Sequence, residues 1–446
     1  MEISWINPVA LLENELRQRR EEGLNVDAVT GRWKALRDGD PSAEERDAAA
    51  RELFAELAAL DTPADLDRAE PSDLDAIRAA LPAGEAAMTP VPPDDPGLAD
   101  RIAGAWLGRA AGCLLGKPVE KISRAGIREL LSSNGTWPIS DYITERGLPT
   151  EMRAKYTWNR HSGRESLREN IVCMTEDDDM NYPMINLYVL ERQGLDFRTE
   201  DVGEAWLSLM PVLRSFTAER IAYLNLLKGI DPPATAWRGN PYREWIGAQI
   251  RADMWGWTAP GDPWTAAARA WRDARLSHVR NGLYGEMFVA AVIAAAFRES
   301  DPARLLRVGL TAIPAQSRLA EAVRFALDLH GDAPDYETAL DRLYARYGHY
   351  HWVHTINNAA LVALALLYGE GDFERSICNV VMGGWDTDSN GATVGSILGV
   401  ILGARDLPGK WIDPLNDRIR SSLRDFDNSV LTELAARTVR VIAPAT

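Results

Sequence analysis

Cysteine is nearly absent from this chain. There are three in 446 residues, Cys113, Cys173 and Cys378, each flanked by apolar residues and none in a CxxC pair. That spacing supports neither a zinc knuckle nor a disulfide framework, and buried free thiols are the reading it leaves. Positive charge is also short. Forty-nine Lys and Arg face sixty-five Asp and Glu, a formal net charge of −16, and no basic stripe runs along the sequence. A nucleic-acid duplex is therefore not an expected partner. Long apolar runs are missing too. The longest, around 359–367 and 394–403, fall short of the ~20 residues a membrane span needs. The start, Met1-Glu2-Ile3-Ser4-Trp5, has no basic region followed by an apolar core. A cytoplasmic enzyme without membrane association is the expectation.

Period-two alternation is all but lacking, whereas helical spacing is common. Leu11–Glu22 and Ala43–Leu60 place apolar residues three and four apart with charges between them. Pro71-Ser72-Asp73 puts helix-capping types just ahead of Leu74, Ile77 and Leu81. Residues 82–96 are dense in Pro, Gly, Ala and Asp. Beyond them, Leu98–Leu115 carries Gly104, Gly108, Ala111 and Gly112 on one face, as a helix needs when it packs closely on a neighbour. Met180–Leu190, Ala266–Arg275, Glu286–Phe297, Leu319–Leu329, Ala359–Tyr368 and Thr393–Leu402 are further helical candidates. The expected fold class is all-α, a compact orthogonal helical bundle. Residues 1–85 read as an N-terminal helical appendage, 86–97 as a linker and 98–446 as the main domain. Residues 121–170 and 230–265 are irregular and rich in Trp, Tyr, Pro and Gly. They are expected to wall a pocket, because long loops in compact domains are usually functional.

Two acidic clusters carry the chemistry: Thr175-Glu176-Asp177-Asp178-Asp179 and Asp386-Thr387-Asp388-Ser389, each followed by an apolar helical stretch. The helix macrodipole favours a few acids in a first turn, but four in succession exceed what it needs. The second cluster alternates its carboxylates between glycine-rich segments, which lets two side chains point the same way beside a hydroxyl. Crowded carboxylates repel unless water or a cation neutralises them. Oxygen ligands of this kind suit Mg²⁺ or Mn²⁺ far better than zinc. A terpene-cyclase reading does not fit. Asp177-Asp178-Asp179-Met180-Asn181 lacks the second spaced acid, and beyond Asn416-Asp417 the position for serine is Arg420.

Three motifs in order resemble those of the ADP-ribosylglycohydrolase family. They are Gly104-Ala105-Trp106-Leu107-Gly108 through Gly116-Lys117-Pro118-Val119-Glu120, then Thr175-Glu176-Asp177 with Met180, and Asp386-Thr387-Asp388-Ser389 with Gly391-Ala392 and Gly395. The resemblance spans roughly Leu98 to Leu407. It implies an all-helical fold whose cleft holds two Mg²⁺ ions, sometimes Mn²⁺, against the ribose hydroxyls of ADP-ribose. Thr175, Glu176, Asp177, Asp386, Asp388 and Ser389 are the implied metal ligands, with Glu120 over the site. His278, within Ser277-His278-Val279-Arg280-Asn281-Gly282, resembles a family histidine near the substrate. Glu176, Asp178 and Ser389 depart from the usual Asp, Thr and Thr, which bears on substrate identity and ion spacing.

The implied activity is Mg²⁺-dependent hydrolysis of a ribosyl glycosidic bond, releasing ADP-ribose or a related group from a modified protein or a small molecule. Asp177 or Glu120 is the expected general base on a metal-activated water. His278 and Asn281 are expected on the substrate, and loop amides near Gly116 and Gly391 on its phosphates. Two alternatives stand beside this. One is an N-ribosyl hydrolase of a free nucleotide-like metabolite; the other is a non-catalytic binding protein of crystallin type. Oligomeric state is not legible.

Overall fold

A computed structural model of the chain describes residues 3–84 and 88–443. Residues 86 and 87 of the expected linker therefore lie outside the described residues. Among those described there are twenty-three α-helices and one two-stranded antiparallel sheet, Arg418–Ile419 with Ser429–Val430. The fold is all-α. No helix among them is long and apolar enough to cross a membrane.

The organising contact is an antiparallel pair of helices, Leu98–Gly116 and Thr387–Leu402. Gly104, Gly108, Gly112 and Gly116 face Gly399, Gly395, Gly391 and Thr387 in that order, and a β-carbon at any of these four glycines would collide with the opposing backbone. Only glycine permits such an approach. The helices are thereby locked in register, and the end of one is set beside the start of the other. The Thr387 hydroxyl seals that corner by donating to the Gly116 carbonyl at 2.8 Å. The apolar helices Asn281–Ala296 and Thr355–Gly369 are buried almost throughout and complete the core.

Residues 230–265 form the expected pocket wall in part, with Ile246, Gly247 and Ile250 lining a cleft. They form short helices and turns that are mostly buried, with Trp245, Trp255 and Trp257 in the core. Trp255 and Trp257 serve packing, Trp255 stacking on Phe197 at 4.5 Å and Trp257 on Trp106 at 4.9 Å, whereas Trp237 is exposed.

The N-terminal helices have a small core of their own around Leu12, Leu16, Val29, Trp33 and Leu53. They are also tied to the main body by a buried ionic seam. Arg243 reaches Glu15 at 2.7 Å and Glu22 at 2.8 Å. Arg280 reaches Glu22 at 2.9 Å, and Arg318 reaches Glu70 at 2.7 Å and Glu244 at 2.8 Å. Gln18 adds a bond to Glu244 at 2.9 Å. Further along, Val91 donates its N–H to the Pro260 carbonyl, and Ile77 and Val91 join the main core.

Candidate metal centre

The helix pair brings the two remote acidic segments together. Asp386 precedes the Thr387–Leu402 helix, and Asp388 and Ser389 lie in its first turn. The preceding turn is tight. Gly384 and Trp385 both have positive φ, 78° and 55°, and Trp385 is held there by stacking on Tyr344 at 4.3 Å. Asp177 caps the Asp178–Gln193 helix by accepting the Asp179 N–H at 2.9 Å. Glu120 follows directly on the Leu98–Gly116 helix and its Lys117–Val119 extension.

These segments line one cleft with Lys117, Glu120, Asp178, Asp179, Asp386, Asp388 and Ser389 on its floor. One carboxylate oxygen from each of Glu120, Asp386 and Asp388 lies within 4.8 Å of the others, and a second such group joins Cys113, Asp177 and Asp179. Lys117 bridges the two. Its ammonium contacts Asp177, lies 2.8 Å from Asp388 and 3.3 Å from Glu120. Ser389 donates to Asp179 at 3.1 Å. Arg109, wholly buried, donates to the Asp179 carbonyl at 2.7 Å and to Asp253 at 2.6 Å, fixing the start of the helix.

The electrostatics are those of a site short of positive charge. Burial, then Asp388 and Glu120, push the Asp386 carboxyl well above the usual carboxylate range. Asp178 and Asp179 move the same way through burial and the neighbouring Asp177. Burial alone would lower Lys117, but Asp177, Asp388 and Glu120 outweigh it and hold the ammonium well above its ordinary value. The buried Cys113 thiol is pushed up by burial and by Asp177, so it stays neutral, a soft donor of little use to a hard cation.

The donors fit a hard divalent ion. Among the described residues, Asp388 Oδ1 is buried with no hydrogen-bond partner, and Asp386 pairs with no cation. Glu120, Asp178, Asp386, Asp388 and Ser389 supply oxygen donors to the same space.

Several expected residues lie elsewhere. The Thr175 hydroxyl pairs with Ser166 at 3.1 Å, behind the cleft. Glu176 is taken up by Arg214 at 3.1 Å, Asn181 at 3.0 Å and Ser422 at 2.7 Å. The acidic segment thus enters the site two residues later than its motif suggested, because the chain turns into a helix only at Asp178. Asp177 spends one oxygen on the helix cap and the other on Lys117. Gly116 and Gly391 are pressed into the helix pair and are not among the residues lining the cleft. His278 lines a different cavity, beside Arg243 and Arg280. Its Nδ1 meets the Ser277 hydroxyl at 2.8 Å, and burial and Arg251 hold it well below its ordinary value. Asn281 belongs to the ionic seam, donating to Glu70 and Glu244. Sequence reading missed Lys117, although it stands three residues before Glu120, a helical spacing. It also passed over Asn159 and the cleft's aromatic residues Phe216 and Trp352, and it named Asp179 within the acidic cluster but not as a ligand.

The profile of the ADP-ribosylglycohydrolase family matches residues 94–444, and the chain belongs to that family. Among solved structures, one described as an ADP-ribosylglycohydrolase-related protein complex is similar at 21% identity. It has a TM-score of 0.50 and covers 77% of this chain and 98% of its own. That likeness bears on the fold. No curated protein sequence matches.

Proposed function

We propose that the chain is a divalent-metal-dependent glycohydrolase that cleaves a ribosyl glycosidic bond, releasing ADP-ribose or a related ribosyl group. One observation carries this reading: Asp178 and Asp179 meet Asp386, Asp388 and Glu120 on the floor of a single cleft. Glu120, Asp178, Asp386, Asp388 and Ser389 would hold Mg²⁺ or Mn²⁺, two ions in the family pattern. A bound ion supplies Lewis acidity, grips vicinal hydroxyls and acidifies water.

The side chains do the remainder. Cleavage at the anomeric carbon builds positive charge on the ribose ring, and the carboxylate floor stabilises it. Glu120 is the best-placed general base. It lines the cleft, and Lys117, Lys121 and Asn159 orient its carboxylate. Asp177 positions Lys117 rather than meeting substrate. Glu219 lines the same cleft beneath Gly247, which leaves room for its carboxylate. Burial raises Glu219 to about 7 against the pull of Arg251, a value suited to donating a proton to a leaving group near neutral pH.

The test is a substrate panel of ADP-ribosylated arginine and serine peptides, free nucleotides and nucleosides, each with and without chelator. Chelator-sensitive release of a ribosyl product supports the reading. Release from free nucleotides alone selects the metabolite hydrolase. Absence of release with every substrate, together with no Mg²⁺ binding, selects the non-catalytic alternative.

A further inference from the structure

The segment before residue 94 lies outside the family match, yet it reaches the cleft. Trp5 lines the same cavity as Asp178, Asp386 and Glu120. We propose that this N-terminal segment completes the ligand site, with Trp5 as the wall against which a planar heteroaromatic ring of the ligand packs. The class of ligand rests on the ribosyl reading above.

Trp5 is anchored from several sides. The Tyr242 hydroxyl donates to the Trp5 carbonyl at 2.9 Å. Arg220 donates to the Ser4 carbonyl at 2.8 Å and to the Ser4 hydroxyl at 3.1 Å. The indole meets Tyr242 and Trp245 edge-to-face, each at 5.8 Å. Its backbone is held at φ 69°, a conformation a bulky side chain keeps only where its surroundings enforce it. These contacts fix an indole that remains half-buried, part of it open to the cleft.

Other lining residues are aromatic as well. Phe216 and Trp352 line the cavity, and His161 lies edge-to-face with Phe216 at 5.8 Å. Trp245, behind Trp5, stacks on His351 at 4.1 Å, next to Trp352. The cleft therefore divides into a carboxylate floor and an aromatic mouth. The floor suits hydroxyls and cations and the mouth suits a flat ring, so a ligand joining a ribose to a heteroaromatic base spans both. Two sources of ring share that chemistry: a base at the far end of a diphosphate, or a base on the ribose carbon itself.

Calorimetry on the full chain with saturating Mg²⁺ tests this, using ADP-ribose, adenosine and ribose 5-phosphate against wild type, Trp5→Ala, Trp5→Leu and Trp5→Phe. Loss of one stacking partner weakens a ring-bearing ligand by about ten- to a hundredfold. Trp5→Ala should weaken ADP-ribose by that factor, leave ribose 5-phosphate unchanged, and be largely rescued in Trp5→Phe. The same loss confined to adenosine also supports the wall and places the ring on the ribose carbon. Should Trp5→Ala not fold, Trp5→Leu against Trp5→Phe makes the same comparison with the space filled. Wild-type affinity for both ring-bearing ligands in the variants overturns the inference alone, as does equal weakening of all three ligands. Failure of wild type to bind any of the three removes the ribosyl reading and this inference with it.

Discussion

Two buried clusters of charge in this molecule are built to opposite rules. In the seam between the N-terminal helices and the body, Glu15, Glu22, Glu70 and Glu244 meet Arg19, Arg243, Arg280 and Arg318, acid for base, and leave Glu21, beside His354, outside that pairing. In the cleft, the six acids Glu120, Asp177, Asp178, Asp179, Asp386 and Asp388 share Lys117, Arg109 and the more exposed Lys121. Burying a charge is costly unless it is paired. The seam meets that cost from its own side chains, and Glu22 and Glu244 stay below the usual carboxylate range despite their burial, drawn down by Arg243 and Arg318. The cleft leaves the cost unmet, and Asp386 shifts the other way. Balanced buried charge marks a joint; unbalanced buried charge marks a place for a cation.

The largest effect that can break this contrast is Asp386→Ala. It should lower turnover by at least about a thousandfold, as loss of an ion that supplies several kcal/mol requires, and abolish Mg²⁺ binding in calorimetry. The melting temperature in chelator should stay level or rise, because an unpaired buried carboxylate is gone. Retained turnover, or a marked loss of metal-free stability, would place Asp386 among the structural pairs.

Arg243→Met makes the reverse cut. It leaves Glu15 with Arg19, and Glu22 with Arg19 and Arg280, short of one buried positive charge, and should cost about 3–5 kcal/mol in denaturant unfolding. Mg²⁺ affinity should not change. A loss under about 1 kcal/mol would mean the seam is solvated rather than buried.

Lys117→Met removes the buried ammonium that competes with a divalent ion for Asp388 and, together with Lys121, for Glu120. Mg²⁺ affinity should rise by about tenfold, in line with a repulsion weakened by the surrounding dielectric. Weaker binding would show that Lys117 organises the donors more than it opposes the ion.

The smallest effect is a pH dependence inside the seam. Burial and the neighbouring Glu244 raise Glu21 from 4.5 to about 8, and its Oε2 lies 3.5 Å from the His354 Nε2. The folded state therefore holds this proton more tightly than the unfolded chain. Its contribution is full below about pH 4.5 and fades as pH climbs to 8. Melting curves of wild type should fall by a few degrees more over that range than those of Glu21→Gln. Parallel curves would assign the dependence to other groups.

The helix pair was legible because glycines at four-residue spacing leave a direct trace in the sequence. The all-α class followed from helical periodicity and the want of alternation. The site was legible only in outline. Asp386, Asp388, Ser389 and Glu120 sit where their motifs put them, since the glycine contacts fix both helix ends. Thr175 and Glu176 do not reach the cleft, because the register of a run of acids depends on where the helix begins, and that is set by the Asp177 cap and by Arg109. Glu176 is drawn off in part by Arg214 and Ser422, which are remote in sequence and leave no local signal. His278 and Asn281 stand in a motif that looks catalytic but serves the core and the seam. Trp5 left no trace at all, for its place in the cleft depends on long-range bonds from Tyr242 and Arg220.

Anomalous diffraction from crystals of the protein grown with Mn²⁺ tests the central claim most directly. The account predicts at least one peak bound by carboxylate oxygens of both segments, Asp386 or Asp388 from one and Asp178 or Asp179 from the other, at about 2.1–2.2 Å. A cleft without a peak at saturating Mn²⁺, with Lys117 still bridging Asp177 and Asp388, would contradict it.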